Sequence, residues 1–163
     1  MGKSLRDLGE EDEGRAMDAI EGYAVGIDMT ARNLQDEAKK KGLPWSIAKG
    51  FDTFLPISNP IPKSSIPDPY DAHLYLSING IIKQSGSTES MLFRIPRMLS
   101  DISKVMTLEP GDLVLTGTPK GVGPVQAGDI IRAGVKVNGK EINEGRIEVS
   151  VKDREGGFKF QET

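Results

Sequence analysis

Two Asn-Gly pairs constrain this chain more than any other feature. Asn79-Gly80 and Asn138-Gly139 each lie within stretches that alternate apolar and polar residues. Asn-Gly is the pair that most readily takes the left-handed backbone of a two-residue hairpin turn. Residues 73–78 therefore read as a strand that turns at Asn79-Gly80 and returns along 81–85. Residues 129–151 keep period two around the second pair and form a second antiparallel unit.

Helices are fewer and short. Residues 16–21 allow one or two helical turns before Gly22. Thr30 is placed as an N-cap for a helix over 31–41, which Gly42 and Pro44 end. Pro96 suits the first turn of a helix through Lys104, with Met98, Leu99, Ile102 and Met106 on one face. Residues 23–28 (YAVGID) read as a buried strand finishing on a carboxylate. Extended pieces are expected at 46–49 and 53–57, and another short strand at 112–116. With 19 Gly and 10 Pro punctuating these elements, the sum is one β-rich α+β domain with short helices. It spans residues 15–151, after a charged, frayed lead-in over 1–14 and before a polar, partly disordered tail over 152–163.

Composition removes several function classes. A net charge of −3 offers no electrostatic footprint for nucleic acid or a membrane surface. The absence of cysteine leaves no disulfide, thiolate nucleophile or Cys-based zinc site. Apolar runs are only a few residues long, too short for a membrane span. The polar start resembles neither a secretory signal nor an Arg-rich transit peptide, so the expected location is intracellular.

Two places could carry chemistry. If helical winding begins just after residue 28, Asp28, Arg32 and Gln35 share one face, with Lys49 following an apolar stretch. A carboxylate, a guanidinium and an amide at a strand-to-helix junction suit an anionic substrate beside a metal. On spacing alone, a solvated face with a local Asp–Arg pair is the favoured reading. The second place is 115–125, LTGTPKGVGPV, where three glycines, two prolines and two threonines crowd one loop. Such a backbone can approach and cradle a carboxylate or phosphate, although it lacks the ending of a Walker loop. A tight structural turn is the other reading.

The strings IDMTARNLQDEAKKKGLPWSIAKGFDTF and GDLVLTGTPKGVGPV resemble the fumarylacetoacetate hydrolase family, in its acylpyruvate hydrolase and oxaloacetate decarboxylase (tautomerase) branch. The resemblance covers roughly residues 15–134. It implies a mixed β-roll with short helices, a homodimer, and a Mg²⁺ or Mn²⁺ ion that chelates a small α-keto acid and stabilises its enolate. Carried over, Asp28 is a metal carboxylate, and Arg32, Gln35 and Lys49 are catalytic. Gly117, Thr118 and Lys49 bind substrate. The implied activities are acylpyruvate C–C hydrolysis, oxaloacetate decarboxylation and keto–enol tautomerisation, in the cytosol or mitochondrion.

The family's other two metal carboxylates lie on a Glu-x-Glu strand upstream, and an acid–base lid with His and Glu lies further upstream. Met1-Gly2-Lys3 matches the turn just past that strand, so the expectation is a form lacking the N-terminal part. Glu11-Asp12-Glu13 spells Glu-x-Glu but sits in a polar stretch between glycines and reads as solvated charge. His73, the single histidine, matches no catalytic position. The alternative to an enzyme is a non-catalytic binding or assembly subunit on the same fold.

Overall fold

The computed structural model describes residues 1–161. Its centre is a five-stranded antiparallel sheet built on the two Asn-Gly turns. Strand β3 (His73–Ile78) pairs with β4 (Ile81–Ser87) on one side and β5 (Ile130–Val137) on the other. β5 continues through the second turn into β6 (Lys140–Glu141) and also pairs with β7 (Ile147–Ser150). Both turns have the expected left-handed backbone, with φ of 51° and 81° at Asn79-Gly80 and 50° and 75° at Asn138-Gly139. A bulge between Leu76 and Ser77 shifts the β3–β4 register. The alternation in β5 is functional for packing: Ile131, Ala133 and Val135 are buried together with Ile147 of β7.

A smaller pairing joins β1 (Gly22–Tyr23) to β2 (Ile61–Pro62). The chain stays extended past β1, and Val25 and Ile27 enter the sheet core beside Ile61 and Ile66. A second cluster gathers Ala16 and Ala19, from α1 (Glu13–Asp18) and the turn after it, with Ile95 and Leu99 of α4 (Ile95–Ser103). Tyr23 packs against both clusters and links them. The remaining helices are α2 (Arg32–Lys41), closed by left-handed Gly42, and α3 (Ser46–Lys49).

Several expectations need correction, among them the first helix, which runs Glu13–Asp18 rather than over 16–21. The lead-in over residues 1–14 is not frayed, because Leu5 and Leu8 are each 1% exposed within the second cluster. Leu5 and Leu108 exchange backbone hydrogen bonds of 2.9 Å in both directions. Ser100 Oγ donates to the Leu8 carbonyl at 2.8 Å. Two leucines hidden among charges were enough to anchor the segment, while Glu11, Asp12 and Glu13 are exposed as expected. Residues 46–49 form the helix α3 rather than an extended piece, since a short apolar run does not distinguish the two by periodicity. Residues 112–116 form no strand: they find no ladder partner among the described residues, and Leu113 and Leu115 remain exposed. On α4 only Leu99 of the expected face is fully buried, and Met106 lies beyond the helix end, exposed.

The tail over 152–161 is exposed and without regular structure, yet Phe158 meets the Phe51 ring edge-on at 5.4 Å and Arg154 lies 5.0 Å over the same ring. The last part of the expected tail, 162–163, lies outside the described residues.

Candidate functional site

Asp28 is positioned by backbone. Residues 25–29 run antiparallel to 54–58: Ile27 N–H donates to the Pro56 carbonyl and Met29 N–H to that of Phe54, both at 2.9 Å. Ser58 closes the ladder, donating its own N–H to the Val25 carbonyl at 2.9 Å while its hydroxyl accepts from Val25 N–H at 3.0 Å. With Val25 and Ile27 locked in the core, the carboxylate between Ile27 and Met29 points to the other face of the extended segment. There it is partly exposed and receives Lys49 Nζ at 2.6 Å.

Lys49 arrives from α3. The Ala31 N–H donates to the Ala48 carbonyl at 3.0 Å, stitching the turn after Asp28 onto that helix. The ammonium then donates to Thr30 Oγ1 at 2.8 Å as well as to Asp28. Thr30 is therefore not the N-cap of α2, which begins at Arg32 after Ala31 and has no side-chain cap. Its hydroxyl serves the lysine instead.

The shared helical face of Asp28, Arg32 and Gln35 is only partly present. Residues 28–31 are not helical, so Asp28 does not sit on α2 and its ionic partner is Lys49 rather than Arg32. Arg32 and Gln35 do meet, one turn apart, with the guanidinium donating to the Gln35 side-chain oxygen. Gln35 is buried, an unusual place for an amide on a short polar helix. Trp45, half exposed, stands beside exposed Ile47 at the start of α3.

The loop around Thr118 is held by β4. Gln84 Nε2 donates to Thr118 Oγ1 at 2.8 Å and to the Pro119 carbonyl at 2.6 Å. Gly121 presses against the same strand: a Cβ there would lie 2.0 Å from the Lys83 carbonyl oxygen, and its φ of +106° suits glycine. Gly117, at φ +112°, turns the chain just before Thr118. Thr118 itself is exposed. Leu115 lies against Gly26, 3.8 Å from where a Cβ would stand, which brings the start of the loop beside the strand that ends in Asp28. Among the described residues no hydrogen bond joins the loop directly to Asp28 or Lys49.

Sequence reasoning named Asp28, Arg32, Gln35, Lys49, Gly117 and Thr118 as candidates but missed the partners of two of them, Thr30 to Lys49 and Gln84 to Thr118. Thr30 carried a helix-cap signal that pointed elsewhere. Gln84 is one polar residue in an alternating strand and carries no local signal at all. His73, on β3, hydrogen-bonds Ser85 at 2.8 Å and stays with the hairpin. Among the described residues, no three His, Cys, Asp or Glu side chains converge as a metal-binding group.

A family model, the C-terminal part of fumarylacetoacetate (FAA) hydrolase, matches residues 1–151. The mitochondrial oxaloacetate tautomerase FAHD1 of Bos taurus is 54% identical over 135 residues, 83% of this chain and 60% of the relative. The mitochondrial oxaloacetate tautomerase oaa1 of Schizosaccharomyces pombe is 63% identical over 117 residues, 72% of this chain and 53% of the relative. The chain thus spans a little over half the length of these curated relatives. The crystal structure of yeast ynq8, a fumarylacetoacetate hydrolase family protein, superposes with a TM-score of 0.89 at 39% identity, over 99% of this chain and 67% of that one. Fumarylpyruvate hydrolase from Pseudomonas aeruginosa, solved with Mn²⁺ and pyruvate, gives 0.82 at 35% identity, over 93% and 61%. Sequence motifs, sheet and loop agree with these matches: the chain belongs to the fumarylacetoacetate hydrolase family.

Proposed function

We propose that this chain carries the keto-acid-handling part of a metal-dependent hydrolase or lyase of small α-keto acids. Its reactions are oxaloacetate tautomerisation or decarboxylation, or acylpyruvate hydrolysis. The observation that carries the reading is the fixed ammonium of Lys49, held by Asp28 at 2.6 Å and Thr30 at 2.8 Å in a partly shielded position. A preorganised cation there stabilises negative charge as it gathers on a keto-acid oxygen. All three reactions gather charge in that way, on the oxygen of an enolate, so one arrangement serves them all. The Thr118 hydroxyl and the glycine-rich backbone around it suit the substrate carboxylate. The named activities of the bovine and fission-yeast relatives support the same chemistry.

Mg²⁺ or Mn²⁺ is the ion this reading assigns, supported by the Mn²⁺ and pyruvate of the Pseudomonas neighbour. Asp28 is the donor this chain would give it. A lone carboxylate already paired with an ammonium does not fit a hard cation that demands six oxygens. The described residues alone thus do not make the ion's site. We assign the working unit as a homodimer, which adjacent exposed Leu92 and Phe93 favour. Its partner is the small keto acid rather than nucleic acid or a membrane, a reading to which the net charge of −3 lends support. Its compartment is the mitochondrion, as in the relatives' names.

The test joins the upstream segment of the fission-yeast relative to residue 1 and follows oxaloacetate enol–keto exchange, oxaloacetate decarboxylation and acetylpyruvate cleavage. Mg²⁺-dependent turnover of at least one, suppressed by chelation and by Lys49→Met, is expected. Failure of all three reactions with the segment and Mg²⁺ present refutes the reading.

A further inference from the structure

Gln84 makes a pair of hydrogen bonds whose polarity can be assigned without ambiguity. A glutamine side chain can present either its oxygen or its nitrogen, and neighbours decide which. The carbonyl of Pro119 can only accept, and it lies 2.6 Å from the Gln84 terminal atom. That atom must therefore be the nitrogen. The same nitrogen lies 2.8 Å from Thr118 Oγ1. With one amide proton committed to each oxygen, the Thr118 hydroxyl accepts from Gln84. Its own proton has no acceptor among the described residues, and the side chain faces solvent. Close contacts on either side keep this arrangement in place. Gly121 abuts the Lys83 carbonyl, and a Cβ on Gly86 would stand 3.0 Å from the Pro119 ring.

We propose that Gln84 is a positioning residue that commits the Thr118 hydroxyl to outward donation, making the loop selective for a carboxylate over a neutral carbonyl compound. An alcohol that is free to rotate offers a ligand either its proton or its lone pairs. Here the amide occupies one of the hydroxyl's two lone pairs and turns its proton outward, where an anionic oxygen rewards it about twice as strongly as a neutral one. The inference rests on the keto-acid reading given above and names the residue that sets its preference for the acid.

The isotope-labelled 163-residue chain is titrated with pyruvate and with methyl pyruvate, the ester that lacks the charge. Amide shifts of Gly117, Thr118 and Gly121 report binding. Pyruvate is expected to bind the wild-type chain about tenfold or more tightly than the ester. Gln84→Met, of similar length and without a donor, should weaken pyruvate about tenfold and leave the ester unchanged, with the amide spectrum outside the loop retained. In a Thr118→Val background, Gln84→Met should cost nothing further, because it acts through a hydroxyl that is gone. Equal binding of acid and ester by the wild type, or additive losses in the double variant, overturns the assignment while leaving the keto-acid reading intact. Binding of neither ligand to the wild type also overturns the assignment, whereas the keto-acid reading stands or falls with turnover of the joined protein in Mg²⁺.

Discussion

Gly121→Ala tests whether the Thr118 loop is built by its contact with β4. The added methyl would sit 2.0 Å from the Lys83 carbonyl oxygen, where no carbon can remain, at a backbone φ of +106°. Two routes of relief exist, and each has a magnitude. If the backbone adjusts just enough to clear the clash and Gln84 keeps its bonds, the strained conformation costs about 1–3 kcal/mol. If instead the loop lifts by an ångström or more, Gln84 loses its bonds to Thr118 and Pro119, at roughly 0.5–1.5 kcal/mol each. Either way the loss is about 1–3 kcal/mol, and a domain of this size loses about 2–4 °C in Tm for each kcal/mol. Gly123→Ala is the internal control, since a Cβ there meets nothing within 4 Å and no positive φ is required. Urea unfolding gives the stability difference, and the side-chain amide resonances of Gln84 give the fate of the clamp. Gly121→Ala should lose stability and broaden or shift those resonances, while Gly123→Ala should do neither. Indistinguishable behaviour of the two variants would refute the packing argument.

Three further outcomes are expected. Leu8→Ala should destabilise the chain by about 2–5 kcal/mol in urea, against almost nothing for Glu11→Ala, because Leu8 is buried in the second core and Glu11 is exposed. A null result would restore the frayed lead-in. The hydrogen bond from Tyr75 and the Arg146 cation hold the Glu141 carboxyl below its ordinary range, so its contribution is present above the unfolded-state pKa and is lost as pH falls through the lower, folded one. Burial raises the Tyr23 and Tyr75 phenols, so theirs is present below the unfolded-state value and is lost as pH rises through the folded one. Tyr75→Phe should flatten the acid side of a stability–pH curve, and an unchanged acid limb would contradict it. Thr30→Val should expose Lys49 to an amine-modifying reagent several-fold faster than wild type, read by mass spectrometry, while Thr30→Ser should not. Equal rates in all three would remove Thr30 from the site.

How legible each element was depended on how local its cause is. The Asn-Gly turns, the β3–β4 hairpin, the left-handed stop at Gly42 and the proline start of α4 were readable because one or two residues dictate each backbone. The two long motifs also carried the family, and with it the choice of Asp28, Arg32, Gln35, Lys49 and Thr118 as candidate site residues. The lead-in was misread because burial of Leu5 and Leu8 depends on Leu108, Ser100 and Ser103, about a hundred residues away. Residues 112–116 were misread for the converse reason: strand-like alternation forms a strand only where a partner edge accepts it.

The sequence by itself thus determined the β-rich class of the fold and which residues stand as candidates for chemistry. Tertiary structure decided which of them meet. It gave Asp28 to Lys49 rather than to Arg32, turned Thr30 from a helix cap into a lysine acceptor, and brought Gln84 from another strand to orient Thr118. Periodicity along a chain reports which face a side chain occupies. Only the folded backbone, by setting distances between segments far apart in sequence, fixes whether a hydrogen bond of under three ångströms can form.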